Sequence, residues 1–193
     1  MIKLSGSKKV NTAVFISGNG SNLKNLIKFS LSKKSPIQIK FVISSKKNAK
    51  GLIYPKKFNI DFKIYHFFYK TKIEKKILED LKKRNIKLIC LAGFMKILSK
   101  NFIEKFGYKI LNIHPSLLPK YKGLNTHKRV IDNKEKFSGC TVHYVNSKLD
   151  SGKIILQKKI RVQNKESYKT LEKKVLKQEH IIYPKAIMKI FNL

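Results

Sequence analysis

Short apolar runs that read as strands alternate with stretches of helical apolar spacing, and this alternation narrows the fold more than any other feature. Thr12–Ser17 (TAVFIS) is a compact apolar strand. A turn at Gly18–Asn22 follows it, and then a helical pattern over Leu23–Leu31. Ile37–Ser44 (IQIKFVIS) reads as a second strand and Phe62–His66 as a weaker third. Ile73, Ile77, Leu78 and Leu81 share one face of a helix predicted over Ile73–Lys83. Lys87–Ala92 (KLICLA) has the continuous apolar character of a strand covered on both faces. A short helix at Phe102–Phe106, a strand at Lys109–Ile113 and strands at Cys140–Val145 and Ile154–Ile160 follow. Ser167–Met188 is mostly helical, with Ser167 placed to act as N-cap. The order implies an α/β fold, a mainly parallel sheet with helices on both faces. A length of 193 residues fits one domain.

Sheets of this kind bind ligands at the carboxyl ends of their strands. That rule singles out Gly18–Asn22, Gly93–Leu98, His114–Pro119 and Asn146–Gly152. In Ser17-Gly18-Asn19-Gly20-Ser21-Asn22, two glycines allow a tight turn into a helix whose free N–H groups favour an anion. Leu23 stands where a dinucleotide fingerprint needs its third glycine, so a single phosphate is the natural guest. A plain strand-to-helix turn fits the same residues. Asn112 and His114, two apart at a strand end, point to one face, and Pro115 and Pro119 stiffen the loop after them. An amide beside an imidazole suits a developing oxyanion. Asp150 lies in a Leu-Asp-Ser-Gly turn that by itself reads as structure. Its neighbours Lys148 and Lys153 are expected to keep it ionised. Leu91–Leu98 continues past its strand either as core or as the wall of a pocket for a flat ligand.

The net charge of +33 invites a nucleic-acid reading. Two observations weigh against it. The basic residues are almost all lysine, with arginine only at 84, 129 and 161, whereas base readout leans on arginine. They are also spread over the whole chain, together with abundant Ile, Asn, Phe and Tyr and no Trp, as A/T-rich codon usage would produce. A solvated lysine surface and no specific nucleic-acid partner are expected. No secretory signal and no apolar run of membrane-spanning length is visible. Cys90 and Cys140 lack metal-site spacing and read as free buried thiols of a cytoplasmic protein.

Taken together, ISGNGSNL, LAGFMKILS, LNIHPSLLPKYKGL, GCTVHYV, LDSGKIILQ and QEHIIYP resemble the glycinamide ribonucleotide formyltransferases, folate-dependent enzymes of purine synthesis. The resemblance runs from about Ala13 to Pro184. It implies a Rossmann-like formyltransferase fold with a seven-stranded sheet. It implies 10-formyltetrahydrofolate as co-substrate, glycinamide ribonucleotide as acceptor, and no metal. Asn112, His114 and Asp150 match the family's catalytic trio, and Gly20, Ser21 and Asn22 its phosphate loop. Glu179 matches the acid that contacts the ribonucleotide. Met95, Lys96, Ile97, Leu98, Asn112 and Val145 match the folate site, with Lys72 near the position that holds the folate tail. Leu118–Pro119 is expected to be cis, as in relatives. Residues 1–10 read as an added arm and 11–193 as one formyltransferase domain, a monomer or weak homodimer.

In the implied chemistry, Asn112 donates to the oxyanion, an imidazolium at His114 stabilises it, and Asp150 supports the charge and relays a proton. Methionyl-tRNA formyltransferase and formyltetrahydrofolate hydrolase share this logic. They normally carry an additional domain, for which the sequence leaves no room. A basic nucleic-acid-binding module on a degenerated enzyme fold is the reading from another class. The intact trio speaks against it, and steep loss of binding with salt would reveal it.

Overall fold

The computed structural model describes residues 9–193; residues 1–8 of the expected arm lie outside the described residues. Seven strands form one sheet in the order β3-β2-β1-β4-β5-β6-β7. These are β1 (Val10–Ile16), β2 (Ile37–Ser44), β3 (Asp61–Ile64), β4 (Leu88–Leu91), β5 (Lys109–His114), β6 (Phe137–Tyr144) and β7 (Ile154–Arg161). β1 takes in Val10, which the sequence pattern assigns to the arm. β1 pairs in parallel with β2 and β4, and β2 with β3, while β6 and β7 are antiparallel. The chain divides into two compact units that meet in sequence at Leu111 and Asn112.

In the first unit, β1 is apolar on both faces because Ala13 to Ile16 are fully buried. α1 (Ser21–Leu31) begins two residues before the predicted helix and buries Leu23, Leu26 and Ile27. A 3-10 turn (Lys50–Leu52) and α2 (Ile53–Lys57) follow β2. Neither is predicted from the sequence, since a five-residue helix containing Pro55 shows no apolar period. α3 (Lys70–Lys83) buries Ile77 and Leu81 as expected, but it also buries Glu74 and Asp80. A buried carboxylate is tolerated only when its oxygens are bonded. Glu74 accepts from the Ser99 N–H at 2.8 Å and from the Ser99 hydroxyl, at the start of α4 (Lys100–Phe106). Asp80 accepts from Lys63 at 2.8 Å, from Arg84 at 2.9 Å and from the Tyr65 hydroxyl.

The second unit holds the β6–β7 pair, α5 (Thr126–Asp132) and α6 (Tyr168–Ile190), which packs on β6 and β7. Ser167 caps α6 as predicted, its Oγ accepting from the Thr170 N–H at 3.1 Å. No helix among the described residues is long and apolar enough to cross a membrane.

Gly139 in β6 has no room for a side chain. A Cβ there would lie 2.0 Å from the Lys158 carbonyl oxygen on β7. Gly139→Ala must therefore push the strand pair apart and should destabilise the protein by about 2 kcal/mol or more. Urea unfolding of the variant beside wild type measures this; an unchanged midpoint would contradict it.

Candidate active site

Within the second unit, β5 ends at His114, and the strand alternation puts Asn112 on the same side. The turn after β6 brings Asp150 to both of them. His114 Nδ1 lies 3.4 Å from Asp150 Oδ2, and Asn112 Nδ2 lies 3.4 Å from Asp150 Oδ1. The Gly123 N–H donates to Asp150 Oδ2 at 2.9 Å. Asp150 adopts φ 45°, a left-handed conformation that short polar side chains tolerate. Two residues on, Gly152 sits so close to β6 that a Cβ would lie 1.7 Å from the Tyr144 carbonyl oxygen. That approach closes the turn and turns the carboxylate inward.

The other nitrogen of His114 is also occupied. Nε2 lies 2.9 Å from the Tyr121 carbonyl oxygen, which can only accept, so Nε2–H donates. Tyr121 is held for this. Its φ is 57°, its hydroxyl donates to Glu135 at 2.9 Å, and Arg129 stacks 5.2 Å over its ring. The loop before it is pinned by the Ser116 hydroxyl on the Lys120 carbonyl at 2.7 Å, and by the Leu118 N–H on Thr141 Oγ1 at 3.1 Å. Leu118–Pro119 is cis, as expected.

Burial by itself would raise the Asp150 pKa. Against that, the Gly123 N–H and positive charge on His143 or His114 pull the carboxyl below its ordinary range. Lys148 and Lys153, which the sequence pattern credits with this, are exposed. Burial is the largest influence and pulls His114 below its ordinary value, although the Tyr121 carbonyl and the Asp150 charge pull the other way. Both nitrogens of His114 face oxygen acceptors, the Tyr121 carbonyl and the Asp150 carboxylate.

Cys90 and Cys140 are free and buried, as expected. Burial pushes the Cys140 thiol up to about 12, which rules it out as a nucleophile at neutral pH. Glu179 is buried in α6, and its charge also raises the Cys140 pKa. Val145 is half-buried just past β6.

The remaining candidates lie in the first unit, at the carboxyl ends of its strands. Ser17 ties these ends together. Its N–H donates to the Gly93 carbonyl at 3.0 Å, and its hydroxyl takes the Met95 N–H at 2.8 Å and meets Ser45 Oγ at 2.6 Å. The Gly18–Asn22 loop and the segment after Gly93 are thereby neighbours. Gly20, at φ 71°, is the N-cap of α1, and its Cα packs against Gly51 so tightly that a Cβ would lie 2.6 Å from the Gly51 Cα. The Lys24 N–H closes the first turn onto the Gly20 carbonyl at 2.9 Å, so the N–H groups ahead of it point out of the helix end. Met95, Lys96 and Ile97 are exposed while Leu98 is buried. Phe94 beneath them packs edge-on against Phe15 at 5.3 Å and Phe67 at 5.6 Å. Lys72 is exposed in the first turn of α3 and lines a pocket together with Tyr69, Lys70 and Thr71.

His143 is not singled out by the sequence. It is buried in β6 and bonded to Asn112, and within an apolar strand a histidine gives no signal beyond its own rarity.

The sequence profile of the formyl transferase family matches residues 10–187. The chain belongs to the formyl transferase family. It is 42% identical over 178 residues to the phosphoribosylglycinamide formyltransferase of Haemophilus influenzae, covering 91% of this chain and 84% of that one. It is 42% identical over 183 residues to the human trifunctional purine biosynthetic protein adenosine-3, covering 93% of this chain but only 18% of that protein. The crystal structure of the phosphoribosylglycinamide formyltransferase from Brucella melitensis superposes with a TM-score of 0.90 at 40% identity, covering 95% of this chain and 96% of that one. The formyl transferase fold, with its seven-stranded and mostly parallel sheet, is therefore as expected from the sequence.

The buried histidines make stability depend on pH. Burial depresses His114, His127 and His180 below 6.5 in the folded protein. Below that pH the unfolded chain takes up protons that the folded chain refuses, so stability is lost as pH falls. The depressed carboxyls of Asp150 and Asp80 add a second loss only as pH falls below 3.8. Tm should thus decline already between about pH 6.5 and pH 5. A Tm flat down to about pH 4.5 would mean that these histidines are not held neutral.

Proposed function

We propose that the chain transfers the formyl group of 10-formyltetrahydrofolate to the amine of glycinamide ribonucleotide, giving formylglycinamide ribonucleotide and tetrahydrofolate. The observation that carries this reading is the buried cluster of Asn112, His114 and Asp150, in a chain similar over most of its length to enzymes named for this reaction.

The geometry suggests the division of labour. As the amine bonds to the formyl carbon, charge develops on the formyl oxygen. Asn112 supplies an N–H donor to that oxygen. The attacking nitrogen must lose a proton. His114 Nδ1 and Asp150 Oδ2 face each other at 3.4 Å with no fixed donor between them, so the pair receives it. His114 becomes an imidazolium held between the Tyr121 carbonyl and the Asp150 carboxylate, and adds its charge to oxyanion stabilisation. The proton then passes to the folate nitrogen as its bond to the formyl carbon breaks. No metal and no covalent enzyme intermediate enters this scheme.

Gly20, Ser21 and Asn22 are assigned to the ribonucleotide phosphate, for the N–H groups and dipole of the α1 N-terminus. Glu179 is assigned to the ribonucleotide. Met95, Lys96, Ile97, Leu98, Asn112 and Val145 are assigned to the folate, and Lys72 to its tail. Residues 11–193 are taken as one formyltransferase domain, a monomer or weak homodimer.

Mixing the protein with both substrates and following release of the deformylated folate tests the reading. Asn112→Ala and His114→Ala should each lower turnover by roughly 10²–10³ with the fold intact. Turnover near wild type in either variant would sink the assignment. For the phosphate loop, Asn22→Ala should weaken glycinamide ribonucleotide more than the folate in a binding titration. Equal weakening of both would reassign the loop.

A further inference from the structure

Among the described residues, His143 is the one buried titratable side chain in contact with the trio that has no part in this scheme. It is 2% exposed on β6. Its Nδ1 lies 2.8 Å from the Tyr144 carbonyl oxygen, which can only accept, so Nδ1 carries the proton and donates. Nε2 lies 3.2 Å from Asn112 Nδ2. An amide nitrogen can only donate, so Nε2 accepts. The tautomer is thereby set by the backbone of the next residue, the same Tyr144 carbonyl against which Gly152 packs.

Asn112 is consequently held at one of its two N–H groups. The other faces Asp150 Oδ1 at 3.4 Å, a long contact that an oxyanion can displace. The 3.2 Å bond to His143 decides which end of the amide faces inward. Without it only the long contact to Asp150 holds the amide nitrogen inward, and a turned amide would present its oxygen, a lone-pair bearer, to a negatively charged centre.

We propose that His143 is a positioning residue for formyl transfer, which fixes the orientation of the Asn112 amide so that its second N–H is the one offered to the reacting oxygen. This rests on the transfer reading of the site. His143 acts through Asn112, touches neither substrate, and should matter for the chemical step more than for binding.

Steady-state formyl transfer by wild type, His143→Leu, His143→Gln, Asn112→Ala and the double variant Asn112→Ala/His143→Leu tests it. His143→Leu removes the acceptor, and should lower kcat about 10- to 100-fold while KM for both substrates stays within about twofold. The amide oxygen of Gln reaches the place of Nε2, so His143→Gln should recover most of the loss. With Asn112 already gone, removing the acceptor should cost nothing further, so the double variant should be no slower than Asn112→Ala. Circular-dichroism melting checks the fold, and His143→Phe replaces His143→Leu should the latter not fold. Wild-type turnover with an unimpaired His143→Leu overturns the proposal alone. So does a double variant whose loss is the product of the two single losses, since His143 would then act independently of Asn112. A wild type that does not turn over overturns the transfer reading, and the proposal with it.

Discussion

A buried carboxylate must be kept charged, and the second unit is arranged around doing so at Asp150. The side chain is almost sealed from water, with 8% of its surface exposed, which by itself favours the protonated form. The Gly123 N–H, the Asn112 amide and the imidazoles of His114 and His143 surround it. Three segments deliver them: the loop after the cis proline, β5 and β6. Holding them on one carboxylate fixes those segments relative to one another. The interaction that keeps Asp150 ionised is thus the one that aligns the site.

In the proposed transfer, the same arrangement lets a histidine whose burial disfavours the charged form serve a step that needs a cation. Burial disfavours the protonated form of His114. Its ring nevertheless sits between two acceptors, a carbonyl at 2.9 Å and a carboxylate at 3.4 Å, with one proton to satisfy both. An imidazolium supplies the missing donor. Protonation costs desolvation and gains a charge-assisted hydrogen bond, so the resting site is poised to accept a proton from within. A site that held the imidazolium permanently would have no base to offer the attacking amine. Charge that appears only as the amine attacks stabilises the transition state more than the ground state.

How much of this the sequence shows depends on the range of the interaction. Ile37–Ser44 is read to the residue because its pattern is local, alternating at Ile37 to Lys40 and continuously apolar from Phe41 to Ile43. The pair Asn112 and His114 is legible because strand alternation alone places both on one face. Asp150 is not, because its direction depends on Gly152 meeting the Tyr144 carbonyl, a contact between segments that no local pattern announces. Glu74 and Asp80 are hidden inside an apolar helical face, since a periodicity count registers only apolar residues. α5 (THKRVID) is short and buries little beyond Thr126 and Val130, so its apolar signal is too weak to read.

The excess of lysine gives the few acids an unusual importance. Against 44 basic residues stand 11 acidic ones. Several of these hold joints of the fold, where a backbone N–H or a hydroxyl also needs an acceptor. Glu74 takes the Ser99 N–H at the start of α4. Glu166 takes the Gln163 N–H at 2.9 Å and Lys174 at 3.0 Å ahead of α6. Glu135 takes Lys120 and the Tyr121 hydroxyl, both at 2.9 Å, and so steadies the carbonyl that faces His114. Asp150 takes the Gly123 N–H within the site. Exposed lysines interact through water and are screened beyond about 8 Å at physiological salt. They act on the fold mainly as a diffuse mutual repulsion. The carboxylates act at contact distance and partly out of water, where each bond is stronger and less screened. A chain can therefore accumulate surface lysine while its site chemistry stays unaltered, provided the carboxylates at these joints are kept.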